Sequence, residues 1–158
     1  MRKLSKSAQR VQDSLVEHKL SLSVVELPKS TRTAVEAAQA VNCQVGQIVK
    51  SLIFESIESH HPVLVLTSGS NRVNERAVGE IIGEPINRAS AAFVREKTGF
   101  AIGGVAPIGH KEKPLTYIDE DLLTYDEIWA AAGTPNAVFK LTPKQLRQVT
   151  QGEVISVL

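Results

Sequence analysis

Two apolar runs, IVKSLIF at residues 48–54 and PVLVLT at residues 62–67, are separated by the largely polar stretch ESIESHH. Each run has the length and the aliphatic, β-branched content of a strand, and the short polar connection predicts a hairpin. A hairpin so apolar is not stable alone in water, so the rest of the chain must supply its cover. Alternation along the first strand places Ile48, Lys50, Leu52 and Phe54 on one face and Val49, Ser51 and Ile53 on the other. Lys50 therefore interrupts an apolar row. An ammonium there must reach solvent, find a partner or line a cavity. A lysine guarding an exposed sheet edge is the other reading of the same pattern.

The remaining segments provide that cover. Leu4, Ala8, Val11 and Leu15 recur at helical spacing, which predicts an amphipathic helix ending near Lys19. Leu20, Leu22 and Val24 alternate with serines and predict a strand stopped by Pro28. Thr33 and Glu36 make a capping box for a short helix running to Val41. Residues 74–82 read as a helix closed by Gly83, and residues 86–89 as a short strand. Ser90 caps a helix to Thr98 that Gly99 stops, and residues 100–102 read as a strand. Residues 115–118, 128–132, 137–141 and 154–158 are further strand candidates, and Thr142-Pro143 opens a last helix. Helices come early and strands cluster late. The fold class this predicts is α+β: one domain over residues 1–158, with a curved, mixed, largely antiparallel sheet covered by helices.

Composition narrows the function. The chain has 158 residues, 42% hydrophobic and 22% charged, the balance of a soluble globular domain. The segment MRKLSKSAQRVQDSL has no unbroken apolar core, so it does not read as a signal peptide, and the longest apolar runs are too short to span a membrane. With one cysteine, Cys43, there is no disulfide framework, and a cytoplasmic location is expected. A net charge of +1 disfavours a long grip on duplex phosphates, so any RNA contact should be small and at an end of the molecule.

The second unusual segment is GGVAPIGH, residues 103–110, whose three glycines and proline impose an irregular path. Such a path can aim successive amides inward as an anion nest or oxyanion hole, or can simply be a tight connection. It is neither GxxxxGK[ST] nor a strand–GxGxxG–helix fingerprint, which disfavours nucleoside triphosphates and dinucleotides. His18, His60, His61 and His110 show no metal-ligand spacing, no serine sits in a GxSxG elbow, and Cys43 lacks an activating neighbour. No metal and no cofactor are expected.

Read together, TRTAVEAAQAVNCQVGQIVKSLIF (residues 31–54), VLTSGSNRVN (65–74), TGFAIGGVAPIGH (98–110) and YIDEDLL…EIWAAAGTPNAVFKLTPKQL (117–146) resemble the YbaK/prolyl-tRNA synthetase-associated editing domain family. The resemblance covers most of the chain in family order. It implies a compact α+β fold with a cleft beside the lysine strand, and hydrolysis by a free-standing protein of the ester in tRNA mischarged with a small amino acid. It puts the family lysine on Lys50 and the GxxxP loop on Gly103, Gly104, Val105, Ala106 and Pro107. Around these, Thr31, Leu52, Phe54, Ser68, Gly69, Asn71 and His110 are expected to border the substrate, and the Gly133-Thr134-Pro135 turn to be structural. The implied partners are the acceptor end of aminoacyl-tRNA and an aminoacyl-tRNA synthetase, with the protein a monomer or weak homodimer. A binding module that holds an RNA end or a nucleotide without hydrolysis is the competing reading. A third is a domain active only inside a synthetase complex.

Overall fold

The computed structural model describes residues 3–158. The N-terminal segment read as lacking a leader begins with Met1 and Arg2, which lie outside them. In chain order the helices are α1 (Lys6–Glu17), α2 (Ala34–Val41), α3 (Glu75–Ile82), α4 (Ala91–Thr98) and α5 (Pro143–Thr150). The strands are β1 (Val25–Glu26), β2 (Ile48–Ser56), β3 (Pro62–Ser68), β4 (Ile86–Arg88), β5 (Leu115–Asp119), β6 (Ile128–Ala131), β7 (Ala137–Leu141) and β8 (Glu153–Ile155). Their order in the sheet is β1-β7-β6-β2-β3-β5-β8, with β4 also paired to β2. Among the described residues four pairings are antiparallel and three parallel, a mixed sheet in an α+β fold as expected.

The β2–β3 hairpin is the centre, in register from Val49↔Ser68 to Glu55↔Pro62. Val63, Leu64, Val65 and Leu66 are fully buried, which requires cover on both faces of β3. One face carries the main core, where Ala8, Val11 and Leu15 of α1, Val94 of α4 and Leu146 and Val149 of α5 meet Val49, Ile53, Leu64 and Leu66. On the other face, Val78 of α3 packs with Phe54, Val63 and Val65, and Ala37 and Ala38 of α2 pack with Ile48. Burying each of these large aliphatic side chains contributes about 1.5–3 kcal/mol. The two helices of this second face cover opposite ends of the row Ile48–Lys50–Leu52–Phe54, leaving its middle open.

Capping follows the sequence closely. Thr33 and Glu36 form the capping box of α2, Asn74 and Ser90 cap α3 and α4, and Thr142 with Gln145 boxes α5 behind Pro143. Gly83 and Gly99 end α3 and α4 in the left-handed region.

Two expected strands are replaced. Residues 20–24 are extended but lie outside the sheet, because Gln12 of α1 takes their backbone groups: its Nε2 donates to the Leu22 carbonyl at 2.9 Å and its Oε1 accepts from the Val24 amide at 2.8 Å. The strand begins only at Val25, opposite Val138. Residues 100–102 form a turn, since Thr98 Oγ1 accepts the Phe100 amide at 2.9 Å and the Ala101 carbonyl accepts from Gly104 at 3.0 Å. At the C-terminus the strand spans Glu153–Ile155, and Val157 instead accepts the Asn74 amide through its carbonyl. No helix among the described residues is long and apolar enough to cross a membrane.

Gln12→Ala removes both bonds of this clamp and strands the amide of buried Val24. We expect a loss of about 1–3 kcal/mol, read as a lower urea midpoint at unchanged slope. An unchanged midpoint would mean that another contact holds residues 20–24 against α1.

Candidate active site

The strand β2 is paired along its whole length with β3, but its other edge is shared. There β6 pairs only at Ile48 and Val49, and β4 only from Phe54 to Ser56. Between them the sheet opens into a cleft of about 570 Å³. Residues 48–54 form its floor, with Trp129, Ala130 and Ala131 of β6 on one side and Arg88, Ala89 and Val94 on the other. Residues 31–35 with Ile102, Gly103 and Val105 make the walls. Most of the lining is aliphatic. Among the described residues its ionisable side chains are Arg32, Lys50 and Arg88, with no carboxylate, histidine or cysteine.

Lys50 is half-buried and lies on the open middle of its row, as alternation requires. Its Nζ donates to the Asn71 carbonyl. Partial burial lowers its pKa below the ordinary lysine value; the Asp119 carboxylate works against that, and the positive charges of Arg72 and Arg88 add to it. The turn carrying the carbonyl is held from beneath. Asp119, 1% exposed at the end of β5, accepts through Oδ2 from the Ser68 amide and Asn71 Nδ2, both at 2.9 Å, and through Oδ1 from the Asp121 amide. Asn71 Nδ2 also reaches Asp121 Oδ2 at 2.7 Å. Three hydrogen bonds to one buried carboxylate make a rigid base, since charge-assisted bonds are roughly twice as strong as neutral ones. Asp119 therefore orients the carbonyl that orients Lys50.

The 103–107 loop divides into two parts. Gly103 (φ 93°) and Val105 line the cleft, whereas Gly104, Ala106 and Pro107 are buried behind them. A side chain on Gly104 would come within 2.8 Å of the Thr134 backbone, so the loop stacks directly on the Gly133-Thr134-Pro135 turn. That turn also fixes Thr31, whose amide and hydroxyl both donate to the Pro135 carbonyl, at 2.6 and 2.7 Å. Of the successive amides that such a path can aim inward, one is engaged elsewhere. The Gly104 amide closes a turn onto Ala101 and is unavailable. Among the described residues, the amides of Gly103, Val105 and Ala106 have no protein acceptor, and of these three residues Gly103 and Val105 line the cleft.

The other expected residues divide in the same way. Thr31, Leu52, Phe54 and Gly69 line the cleft. Ser68 is 1% exposed and structural, its hydroxyl donating to the Gly46 carbonyl at 2.7 Å, and Asn71 acts through its carbonyl on Lys50. His110 does not line the cleft. It packs edge-on against Phe100 and faces a groove along α1, with Nε2 against the Ala106 carbonyl and Nδ1 buried without a partner. Burial lowers its pKa. Sequence reasoning missed Arg32, Arg88 and Asp119. The first two lie on segments with no distinctive pattern, while the acidic run after β5 was a visible but unspecific signal for the third.

With this geometry in view, the aminoacyl-tRNA editing domain profile matches residues 28–149. A solved structure described as "a putative trans-editing enzyme for prolyl tRNA synthetase" superposes with TM-score 0.93 at 51% identity, covering 98% of each chain. YwhH of Bacillus subtilis (strain 168) is 30% identical over 131 residues, 83% of each chain. The "Putative Cys-tRNA(Pro)/Cys-tRNA(Cys) deacylase EbsC" of Enterococcus faecalis (strain ATCC 700802 / V583) is 24% identical over 122 residues, 77% of this chain and 74% of that one. The chain belongs to the aminoacyl-tRNA editing domain family.

Two outcomes follow. Asp119→Asn should cost about 1.5–3 kcal/mol of stability in urea. By removing the carboxylate that works against the lowering of the Lys50 pKa, with Arg72, Arg88 and Asp121 left in place, it should also move the lysine's NMR titration midpoint further down. A midpoint unchanged or raised would refute that coupling. For His110, a depressed folded pKa means that its contribution to stability is full above the ordinary histidine value of about 6.5 and is lost as pH falls below it. His110→Gln should therefore flatten the decline in melting temperature between about pH 7 and 5.

Proposed function

We propose that the protein acts in trans to hydrolyse the ester of tRNA mischarged with a small amino acid, on tRNA-Pro or a related tRNA, in the cytoplasm beside a synthetase. The observation that carries this reading is that Lys50 and the cleft-facing half of the 103–107 loop line one apolar cleft. Among the described residues the cleft has cationic side chains and no anionic one, which suits a phosphate-bearing acceptor end. Arg32 and Arg88 at its margins and Lys50 within are the groups to hold the terminal phosphate, a short contact compatible with a net charge of +1.

The chemistry follows from what the cleft contains. Water adds to the ester carbonyl carbon, and the carbonyl electron pair becomes an oxyanion opposite the Gly103 and Val105 amides. The carbon–oxygen bond to the ribose then breaks, the ribose oxygen takes up the proton, and free amino acid leaves. With no carboxylate or histidine lining the cleft among the described residues, the attacking water is oriented by the substrate, the vicinal ribose hydroxyl being the nearest group. The protein contributes position and preorganised dipoles. Selectivity comes from the aliphatic walls, where one methylene changes binding by only about 1–3 kcal/mol, so several small amino acids should be accepted. The names of the solved trans-editing structure and of EbsC support the same substrate class.

The test is release of labelled amino acid from a panel of mischarged tRNAs by the protein and its Lys50→Ala variant. Release of one or a few small amino acids, falling about 10²–10³-fold in a variant that still folds, is the expected result. Equal release by the variant would remove Lys50 from the mechanism. No release, with the acceptor end still bound, would leave a binding module.

A further inference from the structure

The opening in the sheet leaves one residue of β2 with all its hydrogen-bonding groups unused. The Ile48 carbonyl accepts from Gly69 beside β3, so the backbone groups of the even-numbered residues face β3. Those of Val49, Ser51 and Ile53 face the other edge, where the Ile53 carbonyl accepts the Ala89 amide at 3.3 Å. On that edge the β6 ladder stops at Val49↔Ala130, and β4 begins at Phe54↔Arg88. No pairing among the described residues reaches the Ser51 N–H or C=O. The Ser51 hydroxyl is also buried without a partner. Across the opening, Ala132 donates to Ala137 on the β7 side, so the backbone of Ala131 faces β2, with its carbonyl beyond the last β2–β6 pair. Ser51 and Ala131 both line the cleft.

Unpaired backbone groups in a mostly apolar cleft are costly unless something bonds to them, at about 1–3 kcal/mol each. Two carbonyl acceptors and one amide donor present a definite pattern to a ligand. The acceptors suit a cationic N–H donor, and the donor suits a carbonyl oxygen. Both groups occur together, two bonds apart through the α-carbon, in an aminoacyl ester: the α-ammonium and the ester carbonyl.

We propose that the Ser51 and Ala131 carbonyls bind the α-ammonium of the substrate while the Ser51 amide joins those of Gly103 and Val105 at its carbonyl oxygen, which makes the protein selective for unblocked aminoacyl groups. This rests on the reading of the cleft as an aminoacyl site and specifies which end of the amino acid the sheet opening holds. The arrangement sets the α-carbon over β2 and directs the amino-acid side chain toward the aliphatic walls. An N-acylated substrate loses the charge and adds bulk where two carbonyls converge. An α-hydroxy analogue keeps the size but offers one neutral donor.

The experiment uses three non-hydrolysable probes, so it reads binding whether or not the ester is cleaved. They are 3′-amino-3′-deoxyadenosine acylated with alanine, with N-acetylalanine and with lactic acid. Isothermal titration with the full chain should give the alanine probe at least tenfold tighter binding than either of the others. The Ser51 amide and Ala131 carbonyl resonances should shift with the alanine probe, and Ser51→Ala, which keeps both backbone groups, should keep that ranking. Equal affinity for the three probes, no shift at Ser51, or no binding of any probe would overturn the proposal. Equal affinity alongside release from mischarged tRNA would overturn this assignment and leave the hydrolase reading intact.

Discussion

A strand inside a sheet has two edges to satisfy, and the centre of this protein is a strand whose second edge is satisfied only at its ends. β3 pairs with β2 from end to end, while β6 and β4 reach the other edge two and three residues at a time. β6 reaches this edge from one end and β4 from the other, and neither ladder extends to Ser51. The gap is what the two leave between them. It is tolerable because the surrounding structure is heavily overdetermined, with β3 wholly buried and helices packed on both faces. A fold that concentrates its packing in the hairpin can leave a few backbone groups of β2 unpaired, and that is where the cleft lies.

The polar groups around the cleft divide by sign. The buried carboxylate of Asp119 sits beneath the turn, bonded to amides on three sides, and is turned away from the cleft lining. The cations Arg32, Lys50 and Arg88 line the cleft itself. An acid among them would neutralise the field that attracts a phosphate, and a histidine would add a titrating charge near the middle of the physiological range. His110, at the end of the glycine loop, is kept on the far side against Phe100, where burial lowers its pKa. The loop follows the same economy. Its Gly104 amide is used to close a turn and its buried half stacks on the 133–135 turn, so only Gly103 and Val105 remain to face a ligand.

What the sequence determined by itself was whatever depends on neighbours a few residues away. The caps at Thr33, Asn74, Ser90 and Thr142 involve groups three positions apart, and each formed as their residue types require. Alternation along residues 48–54 put Lys50 on its face, because a side-chain period of two is a property of the strand alone. The likeness of four long segments to a known family supplied the lysine and the loop together, which no single motif would have done. Tertiary structure decided everything that depends on a partner far along the chain. Residues 20–24 have a strand's alternation, yet the Gln12 side chain took their backbone groups first. Residues 100–102 are apolar enough for a strand, but Thr98 and Gly104 fold them into a turn. The parallel pairing of β2 with β6, the carboxylate of Asp119 under Asn71 and the arginines at the cleft join residues separated by tens of positions. Local preference has no information about such pairings, because their stability comes from burial and hydrogen bonding that exist only once the whole sheet has closed.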